Sequence, residues 1–374
     1  MALLDPYAAD LDRLAAADRR RALQPRAGAD FSSNDYLGLA DSTALADAAR
    51  AALARGVPLG AGGSRLLRGN HAEHEALEAE AAARFGTEAA LFFANGYAAN
   101  VAMLSALPQT GDRIFHDALI HASAHDGMRL ARCGAQSVPH NDADAFADAI
   151  AAWRRDGGTG RPWIVIESLY SMDGDRAPIT ALADIADAND GFLVIDEAHA
   201  TGVFGVRGCG LAEGVEGREN VITLHTFGKA LGTEGALLCL PRVLADFLVN
   251  RGRGFIFSTA PSPLIAAVGR AALRLACDDP APRARLTALI DYAQTRLARH
   301  GALRSGSQIL PLILGDDTTT MHAAGALQAS GLDVRGIRPP TVPAGTARLR
   351  ICITLNVDEA AIDRLDAALA EALA

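Results

Sequence analysis

The chain is almost without lysine. Of its 35 basic residues one, Lys229, is a lysine and the rest are arginines. Aromatic residues make up only 5%. The five cysteines, Cys133, Cys209, Cys239, Cys277 and Cys352, show no C-x-x-C spacing, which argues against a zinc ribbon or a disulfide framework. No apolar run approaches the ~20 residues that a membrane-spanning helix requires. The opening segment MALLDPYAAD lacks the charged stretch and apolar run of a secretory signal, so a reduced, cytoplasmic protein is expected. A net charge of −9 with no basic stripe argues against a nucleic-acid backbone as partner.

What is present fits a folded, globular protein. Half of the residues are apolar and 21% are charged, a globular composition. The length, 374 residues, suits two or three domains at ~150 residues each. Through the middle of the chain a short apolar run repeatedly precedes a small-residue turn and a helical pattern. The runs are ALFF (90–93), RIF (113–115), WIVIES (163–168), FLVID (192–196), VITLHT (221–226) and ALLCL (236–240). Such runs, interleaved with helices, predict an α/β fold whose mostly parallel sheet is buried on both faces, with functional residues at the carboxyl ends of the strands. Amphipathic spacing of Leu4, Tyr7, Leu11 and Leu14 predicts a helix over 3–23. After a long helical stretch (264–300), QILPLILG and ARLRICITL read as strands and DEAAIDRLDAALAEALA as a closing helix capped by Asp358. The division expected is an N-terminal helical arm (1–35), a large α/β domain (36–280) and a small α+β domain (281–374).

Where arginine serves as the general cation, a lone lysine points to a need for an amine. Guanidinium stays protonated, whereas a lysine amine can lose its proton and form a Schiff base with an aldehyde. The setting of Lys229, TFGKALG, is small and apolar, which does not suit a solvated surface cation. Asp196, at the end of FLVID, can keep a proton on a heteroaromatic nitrogen and so make that ring an electron sink. His199, in the same turn, can donate to a ring oxygen, and His121 can stack on a flat group or cap a helix. The letters Asp196-Glu197-Ala198-His199 also spell a helicase box. That reading needs a phosphate loop upstream, and the only Gly-Lys pair follows the box, with Thr223 and Ala230 where the loop needs Gly and Ser or Thr. His121 and His125 have metal-pair spacing without a third ligand, so no metal is expected. Asn95-Gly96-Tyr97, Ser171 and Thr226 stand where a helix start and hydroxyls can hold phosphate. The Gly-rich LGAGGSRLLRGNH (59–71) carries Arg65 where a dinucleotide fingerprint ends in Gly, so it is read as a close backbone approach.

Taken in order, FSSNDYLGL, GAGGSRLLRGNHAEHEALE, ESLYSMDGDRAP, IDEAHATGVFG, HTFGKALG and IRPPTVPAGTARLRI resemble the α-oxoamine synthases, which are pyridoxal-phosphate enzymes of the aspartate-aminotransferase fold (fold type I). The resemblance runs from about residue 31 onward. It implies pyridoxal 5'-phosphate as cofactor, with Lys229 as the Schiff-base lysine, Asp196 at the pyridine nitrogen, His199 at the ring oxygen and His121 against the ring. It implies Gly96, Tyr97, Ser171 and Thr226 as further cofactor-binding residues. Arg21, Asn34, His121, Arg338, Thr341 and Arg350 match substrate-contacting positions, and Glu167 a polar residue near them. The segment between Arg19-Arg20-Arg21 and FSSNDYLGL is about a dozen residues shorter than the family pattern, so Arg19 or Arg20 stands as an alternative to Arg21. The string IRPPTVPAGTARLR is similar to that of members condensing L-alanine with a pimeloyl thioester, carried on coenzyme A or an acyl-carrier protein. The resemblance also implies a homodimer with sites at the subunit interface.

Overall fold

The structure, a computed structural model, describes residues 3–374. It divides into two compact units. One comprises residues 37–170 and 176–283, the other residues 3–36, 171–175 and 284–374.

The larger unit is built on a seven-stranded sheet: β1 (Ala89–Phe93), β2 (Arg113–Asp117), β3 (Gly134–Val138), β4 (Pro162–Glu167), β5 (Phe192–Asp196), β6 (Val221–Thr226) and β7 (Ala236–Leu240). Their spatial order is β1-β7-β6-β5-β4-β2-β3. All neighbouring pairs are parallel except those of β7, which runs antiparallel to both β1 and β6. Alternate residues feed two cores. Trp163, Val165, Val194 and Ile222 pack on one face, while Ile164, Ile166, Leu193 and Ile195 pack on the other. Each such fully buried side chain contributes roughly 1.5–3 kcal/mol of hydrophobic free energy. Burial on both sides is why these strands read as unbroken apolar runs. The edge strand β3, GAQSV, escapes that reading because four of its five residues are exposed.

Two helices position the site. Helix α1 (Gly96–Ala106) follows β1, and α2 (Ala122–Arg129) follows β2. They lie unusually close at Gly127, where a Cβ would come within 2.9 Å of the Asn100 carbonyl oxygen. The glycine-rich stretch makes the expected close approach. A side chain on Gly69 would run into the Gly63 carbonyl, and that same carbonyl accepts the Ala260 N–H at 2.9 Å.

The smaller unit carries an antiparallel sheet of β8 (Ile309–Gly315), β9 (Arg335–Ile337) and β10 (Ala347–Cys352), ordered β9-β10-β8. Helix Asp317–Ala329 packs on these strands, and the closing helix α3 (Glu359–Ala372) packs on it. Asp358 caps α3 through the Ala361 N–H at 2.8 Å. The N-terminal segment does not stand alone. Ala29–Asp30 pairs in parallel with Leu332–Asp333, which ties the arm to the C-terminal strands. Its helix covers only Asp5–Ala16, not the whole of 3–23. Asp18 adopts a left-handed φ of +53°, and the N–H groups of Arg19 and Arg20 turn back to the Leu14 carbonyl, which closes the helix.

Candidate functional site

The carboxyl ends of β4, β5 and β6 bring the singled-out residues together, as a parallel sheet requires. Asp196 is the last residue of β5 and lies in register with Glu167, the last of β4. Thr226 ends β6, and Lys229 follows three residues on. The Lys229 Nζ lies 2.9 Å from His199 Nε2. This pair joins two turns that are thirty residues apart in the chain.

Asp196 is held by two donors. Its Oδ1 accepts the Ala198 N–H at 3.0 Å, and its Oδ2 accepts from Asn100 Nδ2 at 2.9 Å. Asn100 sits on the buried face of α1 and donates also to Ser123 Oγ at 3.0 Å. Ser123 Oγ lies 2.8 Å from Nδ1 of His121, which caps α2 by accepting the Ser123 N–H at 3.3 Å. His121 keeps an open side toward solvent. Desolvation by its neighbours, reinforced by the Lys229 charge and opposed by Asp196, holds its imidazole below the ordinary histidine range.

A second feature is an anion-ready helix start. Asn95 caps α1 by accepting the Ala98 N–H at 2.9 Å, and the first-turn N–H groups of any helix lack intrahelical acceptors. A Cβ on Gly96 would lie 3.9 Å from Thr226 Oγ1, so the start of α1 abuts the end of β6. Tyr97 is half exposed and its hydroxyl donates to Asp126, a bond that raises the phenol above its usual range.

Glu197 of the same turn has a different fate. It is fully buried and accepts the N–H groups of Leu211 (3.0 Å) and Ala212 (2.5 Å). His125, the other half of the metal-type pair, meets His116 edge-on at 5.0 Å between ring centroids. Among the described residues no group of three His, Cys, Asp or Glu is arranged around a metal position.

The other singled-out residues lie in the smaller unit, in two groups. Arg350 donates from Nε to the Ser171 carbonyl (2.6 Å) and from Nη2 to Asn34 Oδ1 (3.1 Å). Tyr36 donates to the same Asn34 oxygen at 2.9 Å. Arg21 donates to Thr341 Oγ1 at 3.1 Å, and Arg338 reaches the Arg20 carbonyl at 3.1 Å. Burial, together with the Arg21 charge, lowers the Arg338 pKa. Arg19 is engaged elsewhere, in an ion pair with Asp317 at 2.7 Å. Asn100 and Ser123 were not singled out in the sequence. The available signal was an asparagine in the middle of the apolar helix pattern YAANVAMLSAL, a position that costs helix propensity without evident return.

The donor set of the larger unit fits pyridoxal phosphate: an amine for its aldehyde, a buried carboxylate for its ring nitrogen, imidazoles beside it, and a helix start with a hydroxyl for its phosphate. Comparison with known proteins agrees. The model for aminotransferase class I and II matches residues 27–369. An 8-amino-7-oxononanoate synthase of Anaeromyxobacter sp. (strain K) is 42% identical over 99% of this chain and 96% of its own length. One of Burkholderia thailandensis is 41% identical over 99% and 97%. Among solved structures, a serine palmitoyltransferase from S. paucimobilis with a bound PLP–myriocin aldimine superposes with a TM-score of 0.90 at 25% identity, covering 100% of this chain and 98% of that one. An 8-amino-7-oxononanoate synthase from Francisella tularensis gives 0.76 at 26% identity, covering 92% and 97%. The chain therefore belongs to the class I and II aminotransferases of fold type I and, within them, to the pyridoxal-phosphate-dependent acyltransferases of the 8-amino-7-oxononanoate synthase family.

Proposed function

We propose that the protein condenses L-alanine with a pimeloyl thioester, on coenzyme A or an acyl-carrier protein, to give 8-amino-7-oxononanoate, carbon dioxide and free thiol in biotin biosynthesis. The observation that carries the reading is the sole lysine of the chain, set 2.9 Å from His199 in the loop after β6. Near-full-length identity to relatives of that name supports the choice of substrates.

Pyridoxal phosphate supplies an aldehyde that binds amines and a protonated ring that accepts the electron pair left when a bond to Cα breaks. The residues do the rest. Asp196 would hold the ring-nitrogen proton and His199 the ring oxygen. His121 would lie against the ring, and the N–H groups of Gly96 and Tyr97 with Thr226 Oγ1 would hold the phosphate. Lys229 Nζ takes the proton as the alanine Cα–H bond breaks. A C–C bond then forms between Cα and the thioester carbonyl carbon, and the C–S bond breaks to release a thiolate, which takes a proton from water to give the thiol. The alanine carboxylate leaves as carbon dioxide, and Lys229 returns a proton to Cα. To act as base, the amine must be neutral near pH 7 although a free lysine has a pKa of ~10.4. Arg21, Asn34, Arg338, Thr341 and Arg350, and Ser171 on the cofactor side, are proposed contacts on the strength of the resemblance. The proposal extends to a cytoplasmic homodimer. Sedimentation showing a single chain mass at micromolar concentration contradicts the dimer.

The second reading is a sister enzyme using glycine or serine with another acyl thioester. The high structural similarity to serine palmitoyltransferases favours it, while the much higher identity to the oxononanoate synthases opposes it. Carbon dioxide release with a pimeloyl thioester and alanine, glycine or serine decides between them. Release with alanine alone is expected, and preference for serine or glycine overturns the proposal.

A further inference from the structure

The four-residue chain Asp196–Asn100–Ser123–His121 has only one self-consistent direction. Both Asp196 oxygens accept, one from the Ala198 N–H and one from Asn100. The Asn100 atom facing Asp196 must therefore be the amide nitrogen, because an amide oxygen there would oppose an acceptor. The same nitrogen faces Ser123 Oγ, so both of its N–H bonds are committed and the serine oxygen accepts. The single proton of that hydroxyl is then left for His121 Nδ1, 2.8 Å away. Nδ1 receives the Ser123 backbone N–H as well. An imidazole nitrogen that accepts from two donors carries no proton.

We propose that Asn100 and Ser123 form a one-way hydrogen-bond relay from Asp196 that fixes His121 as the neutral imidazole with its proton on Nε2, with Asn100 as a positioning residue. Asn100 and Ser123 are 3% and 0% exposed, so no water competes for these bonds. Gly127 makes the reach possible by letting α2 close onto the Asn100 backbone. The relay has a chemical use. A cationic His121 would draw on the Asp196 charge that is to hold a proton on the cofactor ring, and a neutral one leaves that charge undivided. The inference concerns the cofactor-side residues and is independent of which amino acid or thioester is the substrate.

The test uses the full-length, pyridoxal-phosphate-loaded protein with 15N-labelled histidine, the His121 signals being identified by their loss in His121→Asn. Asp196, Lys229 and His125 are the charged or titratable groups that act on this ring. At neutral pH the wild-type spectrum should show a proton on Nε2 and a bare, hydrogen-bonded Nδ1. Asn100→Asp changes one atom and reverses the polarity. The new carboxyl group lies against Asp196 and the two share one proton along the line between them, so the oxygen facing Ser123 accepts; Ser123 then turns its oxygen toward His121 and Nδ1 gains a proton. Adding Ser123→Ala to that variant removes the oxygen and should reverse the gain. A proton on Nδ1 in the wild type, or one that stays on Nε2 alone in Asn100→Asp, overturns the relay. Should Asn100→Asp not fold, Ser123→Ala alone should move the Nδ1 resonance toward that of a free imidazole nitrogen, and an unmoved resonance overturns it. Each of these outcomes leaves the substrate proposal unaffected, since carbon dioxide release is not the readout.

Discussion

Two clusters of interacting polar side chains start from adjacent residues of one turn in the larger unit and come to opposite ends. Asp196 leads through Asn100 and Ser123 to His121, which has an open side, while His199 of the same turn meets the amine of Lys229. Glu197 belongs to a closed cluster. Near it Glu216 accepts from Thr223 (2.6 Å) and pairs with His225 (2.8 Å). His225 in turn contacts Thr201 (2.9 Å) and stacks on Phe85 at 3.8 Å. Both clusters contain a carboxylate, a histidine and hydroxyls. Only the first has an open side and a nucleophile, so the presence of titratable groups does not by itself mark a site. The closed cluster supports the fold by giving Glu197, Thr201, Thr223 and His225 buried partners.

Lys229→Arg should separate the two most sharply. It keeps the charge and removes the usable amine, so turnover should fall by about 10⁴-fold or more while melting behaviour stays near wild type. Near-normal turnover would erase the distinction. Gly127→Ala acts on the open cluster through packing. Its Cβ would press on Asn100 and Leu104, at a cost of about 1–3 kcal/mol measurable as a lower denaturant midpoint. An unchanged midpoint would mean that the two helices part freely.

The smallest effect belongs to the closed cluster and shows only as pH dependence. Burial, aided by Glu216 and opposed by His225, raises the Glu197 pKa to about 7 from an ordinary 4.5. Between those values the native state holds a proton that the unfolded chain has released. Stability should therefore fall as pH rises through that window and level off above it. Glu197→Gln should remove this slope while leaving Lys229 in place beside His199. A wild-type stability that rises over the same window relative to the variant would contradict the burial argument.

The sequence singled out Asp196, His199, His121 and Lys229, which the fold brings together, and passed over Asn100 and Ser123, which connect two of them. Buried strands must be apolar, so FLVID and VITLHT announced themselves and carried Asp196 and Thr226 to their tips. Lysine scarcity did the same for Lys229. Asn100 and Ser123 were hidden because their partners lie on other elements, and only the close packing at Gly127 reveals the connection. In the smaller unit, Arg350 reads as one more cation in an arginine-rich chain until its bonds to Asn34 and Ser171 are seen. The helix read over 3–23 is too long because helical spacing says nothing about Asp18 turning left-handed. Its Leu4, Tyr7, Leu11 and Leu14 are in fact exposed.

In the proposed mechanism one amine tethers the cofactor and then moves the proton. Borohydride reduction of the pyridoxal-phosphate-loaded protein, followed by peptide mass analysis, addresses it directly. Because Lys229 is the only lysine, the α-amino group is the one alternative primary amine. One reduced pyridoxyl adduct per chain is expected, on the peptide containing Lys229. An unlabelled Lys229 peptide, or a label confined to the N-terminus, would contradict it.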